Sequence, residues 1–268
     1  GIRDKLVTGV QTCALPILSN IESVLHEERL FPPSDDFVRQ ANISGMGVYR
    51  ELCAEAEKDF EGFWARLARE ELLWHKPFTK ILDQSNPPFF KWFHDGELNA
   101  SYNSIDRHLK AQPDKIAIVF EADDGKVNTI TYRELHRQVC KTANGLKSRG
   151  IQKGDRVIVY MPMSIEAVVC MQACARIGAV HSVVFGGFSA KSLQERIIDA
   201  GAVAVLTADG QFRGGREIPL KPAVDEALTL GGCESIHTIT VCKRTGTPVA
   251  WDNKRDVWLH DLVKDQAD

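Results

Sequence analysis

Several motifs that would place this 268-residue chain in a well-known class are missing from its sequence. No apolar run approaches the roughly 18–20 residues that a transmembrane helix requires. The chain has no Gly-x-x-x-x-Gly-Lys-Ser/Thr phosphate loop, no Gly-x-Gly-x-x-Gly after a predicted strand and no Gly-x-Ser-x-Gly nucleophile elbow. No two histidines stand at metal-ligand spacing. These absences exclude a P-loop and leave no membrane span, dinucleotide motif or histidine metal site to predict.

The chain also lacks a strong charge of either sign. Its formal net charge is −3 at pH 7 and its isoelectric point is about 6.3. Proteins that bind nucleic acid or an anionic membrane surface usually carry a basic excess, so we predict neither as a partner. The hydrophobic share of 44% and the charged share of 26% are typical of a globular protein rather than a disordered one.

Cysteine pairs typical of metal and redox motifs are absent too, since the seven cysteines are an odd number and no Cys-x-x-Cys occurs. Cys170 and Cys174 are four residues apart, so a helix would place them on one face. We interpret them as two buried thiols, with metal binding or redox chemistry as the alternative. This usage is typical of the reducing cytoplasm, which is the predicted location.

Residues 1–17 show neither helical nor strand periodicity. Their apolar part, residues 13–18, is too short for the core of a signal peptide, and no small-x-small cleavage site follows it. The run at 7–17, Val-Thr-Gly-Val-Gln-Thr-Cys-Ala-Leu-Pro-Ile, resembles translated sequencing-adapter sequence. We therefore interpret residues 1–17 as an artefact and leave them out of the fold prediction. The alternative is a genuine disordered tail.

Residues 18–100 are predicted to be mixed and mostly helical. Apolar residues recur at intervals of three and four from Val48 to Leu67, which indicates one stripe of a helical region. We interpret the aromatic residues of the segment as an apolar surface that packs on a larger body, with an aromatic cage around a ligand as the alternative. These residues are Trp64, Trp74, Phe78, Phe89, Phe90, Trp92 and Phe93.

From about residue 114 the pattern changes to strands that alternate with helices. Residues 116–120 and 127–131, joined by Asp-Asp-Gly at 123–125, predict a β-hairpin. Thr131 and Glu134 have the spacing of a capping box, in which the hydroxyl and the carboxylate satisfy free amides at a helix start. This helix is predicted to run to about Ser148 and to stop at Gly150.

The alternation continues to residue 242. Strands are predicted at 156–160, 180–184, 202–207 and 236–242, with helices capped by Ser164 and Ser189 that end at Gly178 and Gly201, and a further helix at 221–230. Such alternation favours parallel βαβ units, so the predicted fold class is α/β. We expect the last strands to lack a partner, which would fit an incomplete domain.

Two glycine-containing loops follow predicted strands, where open α/β sheets bind their ligands. The first is Phe-Gly-Gly-Phe-Ser at 185–189, in which glycines let a ligand approach the backbone and a helix start offers amides to an anion. The second is Arg-Gly-Gly-Arg at 213–216, whose guanidinium groups suit a phosphate. A plain strand-to-helix turn and a solvated basic turn are the alternatives. Because the loops come from successive strand ends, we predict one shared anion site.

Residues 63–109 carry a series of short motifs. They are Phe-Trp-Ala at 63–65, Glu-Leu-Leu-Trp-His-Lys-Pro-Phe at 71–78, Trp-Phe at 92–93, Gly-Glu-Leu-Asn at 96–99, Ser-Tyr-Asn at 101–103 and Asp-Arg-His-Leu at 106–109. Together they resemble the N-terminal extension of acetyl-CoA synthetases, a family of the adenylate-forming ligase superfamily. Thr-Tyr-Arg-Glu-Leu at 131–135, Arg-Ile-Gly-Ala-Val-His at 176–181 and the two glycine loops resemble motifs of the adenylating domain, in the family's order.

The resemblance implies a helical extension at 18–100 and an AMP-binding (adenylating) domain at 101–268 that is incomplete at its C-terminus. It implies that acetate attacks the α-phosphate of ATP with Mg²⁺, and that the CoA thiol then displaces AMP from the acetyl-adenylate. Acetate, ATP and CoA would be the small-molecule partners, together with the missing remainder of the chain. The positions that match the family's CoA-binding loops are Phe185, Gly186, Gly187, Arg213, Gly214, Gly215 and Arg216.

The chain departs from the family pattern in what it lacks. The family's Thr/Ser/Gly-rich phosphate loop, acetate pocket, ribose-binding aspartate and adenylation lysine have no counterpart here. Thr-Gly-Thr-Pro at 245–248 is a superficial echo of the phosphate loop. We therefore expect half of a CoA site, no catalytic residue and no metal site, and an isolated chain that is inactive. The alternatives are a propionyl- or other short-chain acyl-CoA synthetase, and a non-catalytic CoA-binding module.

Overall fold

The computed structural model describes residues 30–268, so the adapter-like segment 1–17 lies outside the described residues. The chain divides into two compact units, and the boundary falls between Phe63 and Trp64. No helix within residues 30–268 combines the length and the apolar character that a membrane crossing needs.

The described part of the first unit is helical. Helix α1 spans Asp35–Gln40 and α2 spans Met46–Lys58, and α3, Phe60–Glu71, contains the boundary. The predicted apolar stripe from Val48 to Leu67 is divided between α2 and α3, because the chain leaves the helical conformation at Asp59. The carboxylate of Asp59 accepts a hydrogen bond of 3.0 Å from the Gly62 amide, which satisfies a free donor at the start of α3.

The second unit opens with a small aromatic core. Trp74, Phe78 and Phe93 contact one another with ring centroids 4.4–5.9 Å apart, and they cover Ala65 and Ala68 of α3. The short strands β1, Leu82–Asp83, and β2, Lys91–Trp92, pair antiparallel beside it. The predicted aromatic surface is therefore partly buried here, whereas Phe89 and Phe90 at 70% and 52% exposure stay open.

The predicted hairpin is confirmed as β3, Ile116–Glu121, and β4, Val127–Thr131. It follows a π-helical turn, Tyr102–Asp106, that continues into α4, Arg107–Leu109. Half of the predicted capping box forms at α5, Tyr132–Ser148, because the Thr131 hydroxyl accepts from the Glu134 amide at 3.3 Å. The other half was predicted wrongly, since the Glu134 carboxylate turns to Arg137 and Gln138.

The predicted parallel α/β architecture is confirmed by a five-stranded sheet in which all neighbouring strands are parallel. Its strands are β5 Arg156–Met161, β6 Val180–Phe185, β7 Ala204–Ala208, β10 Thr238–Cys242 and β11 Asp256–Trp258, in the spatial order β11-β10-β7-β5-β6. The helices packed with these strands are α6 Ile165–Ile177, α7 Ala190–Ala200, α8 Lys221–Thr229 and α9 Leu259–Val263.

Local signals fixed the helix ends correctly. Ser164 and Ser189 cap α6 and α7 through hydrogen bonds to the Ala167 and Ser192 amides. The prediction that the last strands lack a partner is wrong, because β10 lies between β7 and β11 and pairs with both. Strand β11 has three residues, too few to produce a period in the sequence.

Cys170 and Cys174 are buried thiols on α6, as predicted from their spacing. Burial raises the pKa of Cys174 to about 12 and that of Cys170 well above its usual value. A thiol must lose its proton to act as a nucleophile or metal ligand, so these side chains are inert core residues at neutral pH.

Candidate active site

The order in which the chain adds strands to the sheet reverses between β5 and β7. The chain runs from β5 to β6 at one edge, returns across β5 to β7, and then proceeds to β10 on the other side. Ligands of open α/β sheets bind outside the carboxyl ends of the strands at such a switch point. Strand β5 separates β6 from β7, so the two predicted loops follow successive strands of the chain but not neighbouring strands of the sheet.

The first loop turns sharply after β6. The Phe188 amide donates to the Phe185 carbonyl at 3.2 Å, and Gly187 adopts a φ of +110° that side chains disfavour. A Cβ atom at Gly186 would lie 3.1 Å from the Met161 carbonyl oxygen at the end of β5. Both glycines are therefore required for the loop to reach over β5.

The amides of this loop are engaged within the protein. The Gly187 amide donates to the Tyr160 hydroxyl at 3.1 Å, and that hydroxyl donates to the Phe188 carbonyl at 2.8 Å. The suggestion from the sequence that amides here are free for an anion therefore fails at Gly187 and Phe188. The loop offers a ligand an open backbone surface and the half-exposed ring of Phe185 instead.

The second loop is the end of a β-hairpin that follows β7. Its strands are β8, Gly210–Arg213, and β9, Arg216–Pro219, which pair antiparallel. Gly214 and Gly215 connect them with φ of +57° and +73°, as a tight two-residue hairpin turn requires. The sequence predicts only a loop here, because strands of four residues are too short to show a clear period.

Arg213 and Arg216 are directly opposite each other in this hairpin. Residues opposed in an antiparallel pair project from the same face, so both guanidinium groups lie on one side. Both side chains are exposed, and neither forms an ion pair with a carboxylate in residues 30–268. Like charges at opposed positions repel each other, and a bound anion would remove that cost.

The hairpin reaches across the end of β5 and meets the first loop. The Arg213 guanidinium carbon lies 5.0 Å from the centre of the Phe185 ring, a cation–π distance. A Cβ atom at Gly187 would be 4.0 Å from Nη1 of Arg213, and the Gln211 amide donates to the Gly186 carbonyl at 2.8 Å. The structure therefore brings both predicted loops to one place.

Lys221, which follows the arginine motif in the sequence, lies away from this place. Its side chain is fully buried, with Nζ 2.7 Å from Asp225 and 2.9 Å from Asp256. The lysine therefore holds the first turn of α8 to the base of β11, and it contributes no charge to the candidate site.

The 245–248 turn is not a phosphate loop in this structure. Its amides surround the buried carboxylate of Asp209, which accepts from Arg244, Thr245 and Gly246 at 2.8–3.0 Å and from Gly210 at 2.8 Å. Burial raises the pKa of Asp209, but these hydrogen bonds outweigh burial and lower it below the usual value. The turn binds an anion that belongs to the chain itself.

Sequence reasoning missed three residues that shape the candidate site, namely Tyr160, Asp209 and Gln211. A signal for Asp209 was present, since an aspartate directly after a buried strand stands at the ligand edge of the sheet. Tyr160 lies near the end of a mostly apolar strand, where a buried hydroxyl needs a partner. Within residues 30–268 the structure places no group of three or more His, Cys, Asp or Glu side chains suited to a metal ion.

Comparison with protein families agrees with this geometry. A family model described as AMP-binding enzyme matches residues 105–266, and a model described as acetyl-coenzyme A synthetase N-terminus matches residues 49–104. The first match alone covers more than half of the chain.

Curated relatives carry the name acetyl-coenzyme A synthetase. The chain is 62% identical to the protein of Nitrosomonas europaea over 251 residues, which are 94% of the chain and 38% of that protein. It is 63% identical to the protein of Cupriavidus taiwanensis over 252 residues, and 65% identical to that of Herminiimonas arsenicoxydans over 251 residues. These matches cover 94% and 93% of the chain, and it spans 38% of the length of each relative.

Proposed function

We propose, from the premise that this chain belongs to the AMP-binding enzyme family, that it is the N-terminal part of an acetate–CoA ligase. The complete enzyme would form acetyl-CoA from acetate, ATP and CoA. The name of these relatives and the match to the acetyl-coenzyme A synthetase N-terminus support the reaction. One observation supports the part of this function that belongs to the present chain. Arg213 and Arg216 lie opposite each other beside the Phe185 loop, and within residues 30–268 neither pairs with a carboxylate.

The proposed reaction has two steps. An acetate oxygen attacks the α-phosphate of ATP, the α–β phosphoanhydride bond breaks, and pyrophosphate leaves with acetyl-adenylate as the product. The deprotonated CoA thiol then attacks the acetyl carbon, and AMP leaves with the electron pair of the acyl–phosphate bond. Mg²⁺ would accompany ATP in a part of the enzyme that this chain does not contain. The setting would be cytoplasmic, with small molecules as the partners.

The chain's own contribution belongs to the second step. The two guanidinium groups offer permanent charge and planar donor forks to the nucleotide phosphates of CoA. The exposed ring of Phe185 offers an apolar surface, and the exposed backbone at Gly187 lets a cofactor approach closely. These groups bind and orient CoA, and bond-making belongs to residues elsewhere in the enzyme.

The proposed CoA role predicts a selective kinetic defect. We expect Arg213→Ala and Arg216→Ala each to raise the Michaelis constant for CoA about 10–100-fold, because a charge-assisted bond to a phosphate is lost. Acetate-dependent exchange of pyrophosphate into ATP should stay within about twofold, since the first step does not involve CoA. Arg→Lys should recover part of the loss. The assay uses the chain joined to the remaining part of the Nitrosomonas europaea relative.

The matched control is Arg133→Ala, which removes an exposed arginine on α5 that pairs with Asp114. Its Michaelis constant for CoA should not change. Loss of pyrophosphate exchange in folded Arg213→Ala and Arg216→Ala enzymes would assign the hairpin to ATP and contradict the proposal. No change in either step would make the hairpin a solvated turn.

The 268-residue chain by itself should form no acetyl-adenylate. Adenylation depends on positioning and charge stabilisation at the α-phosphate, and the family's phosphate loop and adenylation lysine have no counterpart in this sequence. Acetate-dependent ATP–pyrophosphate exchange with the purified chain should equal the blank without enzyme. Exchange above that blank, in a preparation shown to be free of host ligase, would contradict this expectation.

A further inference from the structure

We propose that Gln211 and Tyr160 are positioning residues of the candidate site, which hold the Phe185–Phe188 loop against the arginine hairpin before CoA arrives. The proposal rests on the proposed function for the identity of the ligand. It assigns a role to two buried polar side chains that the reaction itself does not use.

Gln211 connects the two loops directly. It lies on β8 two residues before Arg213, so both side chains project from the same face of the hairpin. The side chain is 6% exposed, and its amide nitrogen donates to the Gly186 carbonyl at 2.8 Å. A Cβ atom at Gly186 would lie 3.2 Å from the Gln211 Oε1 atom, so the amide packs tightly against that glycine.

Tyr160 supports the same loop from below. It is 1% exposed near the end of β5, the strand that separates β6 from β7. Its hydroxyl accepts from the Gly187 amide at 3.1 Å and donates to the Phe188 carbonyl at 2.8 Å. The Tyr160 hydroxyl oxygen therefore holds both the Gly187 amide and the Phe188 carbonyl in place.

These contacts take the place of strand pairing. Strands β6 and β7 are not neighbours, so no ladder of backbone hydrogen bonds ties their loops together. The Gln211 and Tyr160 bonds fix the distance at which Arg213 lies over Phe185. A site whose groups are already held in place loses less conformational entropy when its ligand binds. Removing either side chain should therefore weaken CoA binding without removing a contact to CoA.

The chain offers a matched control for Gln211. Gln194 on α7 is 5% exposed, and its amide nitrogen likewise donates to backbone carbonyls, those of Leu230 at 3.1 Å and Gly231 at 2.7 Å. Gln211→Met and Gln194→Met remove the same hydrogen-bonding group from equally buried positions. Gln194 also accepts a hydrogen bond from Lys191 at 2.8 Å, so its substitution removes at least as many hydrogen bonds, but none of them supports the 185–189 loop.

The test is calorimetric titration with CoA of the chain joined to the remaining part of the Nitrosomonas europaea relative, combined with amide hydrogen exchange in residues 185–189. Gln211→Met removes one buried hydrogen bond to the loop and Tyr160→Phe removes two. We expect each variant to raise the dissociation constant about 5–10-fold. Exchange at the Gly187 and Phe188 amides should become faster in both variants. Gln194→Met should match the unsubstituted chain in both measurements.

The outcomes separate the two proposals. If the unsubstituted joined chain fails to bind CoA, the proposed function is wrong at this site, and CoA is not the ligand that the two side chains serve. If that chain binds CoA and both variants bind equally well, the positioning role alone is wrong. An equal loss in Gln194→Met would mean general destabilisation and would also overturn the role. Should Gln211→Met fail to fold, Tyr160→Phe decides, because it removes one oxygen atom.

Discussion

Lys221→Met is expected to lower the free energy of unfolding by about 3–5 kcal/mol, the cost of leaving a buried charge without its partner. Lys221 and Asp256 both have side chains without solvent exposure, and their charged atoms are 2.9 Å apart. Nζ of Lys221 also lies 2.7 Å from Asp225 and donates to the Ala250 carbonyl at 3.2 Å. Methionine has a similar length, so the loss is mainly electrostatic.

The expected loss of stability is large because the charges of the buried ion-pair network cancel one another. Arg255 contacts both carboxylates, at 3.0 Å from Asp225 and 2.8 Å from Asp256, so two cations face two anions. Burial raises the pKa of Asp256, but hydrogen bonds from Arg255, the Asp252 amide and Lys221 outweigh burial and keep it below the usual value. Without Lys221, one arginine must compensate two carboxylates, one of them fully buried.

Lys191→Met is the matched control. Lys191 and Glu195 are also four residues apart on a helix, but their side chains are 66% and 64% exposed. An exposed pair of this kind contributes less than about 0.5 kcal/mol. Chemical denaturation of both variants at neutral pH measures the difference. A loss below about 1 kcal/mol in Lys221→Met would show that water or a neighbouring group compensates the freed charges.

Features that depend on a few neighbouring residues could be predicted from the sequence. The α6 and α7 ends follow from Ser164 and Ser189 as caps and from glycines that accept positive φ at the other end. Four of the five parallel strands followed from apolar runs of five to seven residues, whereas β11 was not predicted. The family resemblance added the proposed role of the loops, which periodicity and spacing alone did not supply.

Features that depend on distant partners could not be predicted. The order β7-β5-β6 is a property of the whole sheet, and it separates the two loops by one strand. Gln211 is an ordinary polar residue of a short strand until the fold places Gly186 beside its amide. Lys221 follows the arginine motif by five residues, but its partner Asp256 stands 35 positions later, so its burial could not be predicted from neighbouring residues.

Asp209 contributes to the stability of the fold and also anchors the hairpin of the candidate site. The arginine hairpin starts directly after it, and the Leu220 amide at the other end of the hairpin donates to the Asp209 carbonyl at 3.1 Å. Its carboxylate accepts four backbone hydrogen bonds and is shielded from solvent. Asp209→Ala would leave these amides without their acceptor, so we expect a loss of about 3–5 kcal/mol in the free energy of unfolding.

Asp209→Asn should cost less, about 2 kcal/mol, because one amide oxygen still accepts from some of the donors while the negative charge disappears. It should also change the pH dependence. The pKa of Asp209 is lower in the folded chain than in the unfolded chain, where an aspartate titrates near about 3.9. The carboxylate therefore stabilises the fold fully above that value, and this stabilisation is lost as the pH falls through the lower folded pKa.

Denaturant midpoints between pH 7 and pH 3 measure this effect. The difference between the unsubstituted chain and Asp209→Asn should be largest at pH 7 and should shrink as the pH approaches 3. Asp124→Asn is the exposed comparison. Asp124 accepts from the Lys126 amide at 3.1 Å and pairs with Lys126 Nζ at 2.6 Å, which lowers its pKa as well, but its solvent exposure should keep the pH-dependent difference smaller than that of Asp209. A difference that stays constant with pH would show that the charge of Asp209 does not stabilise the fold.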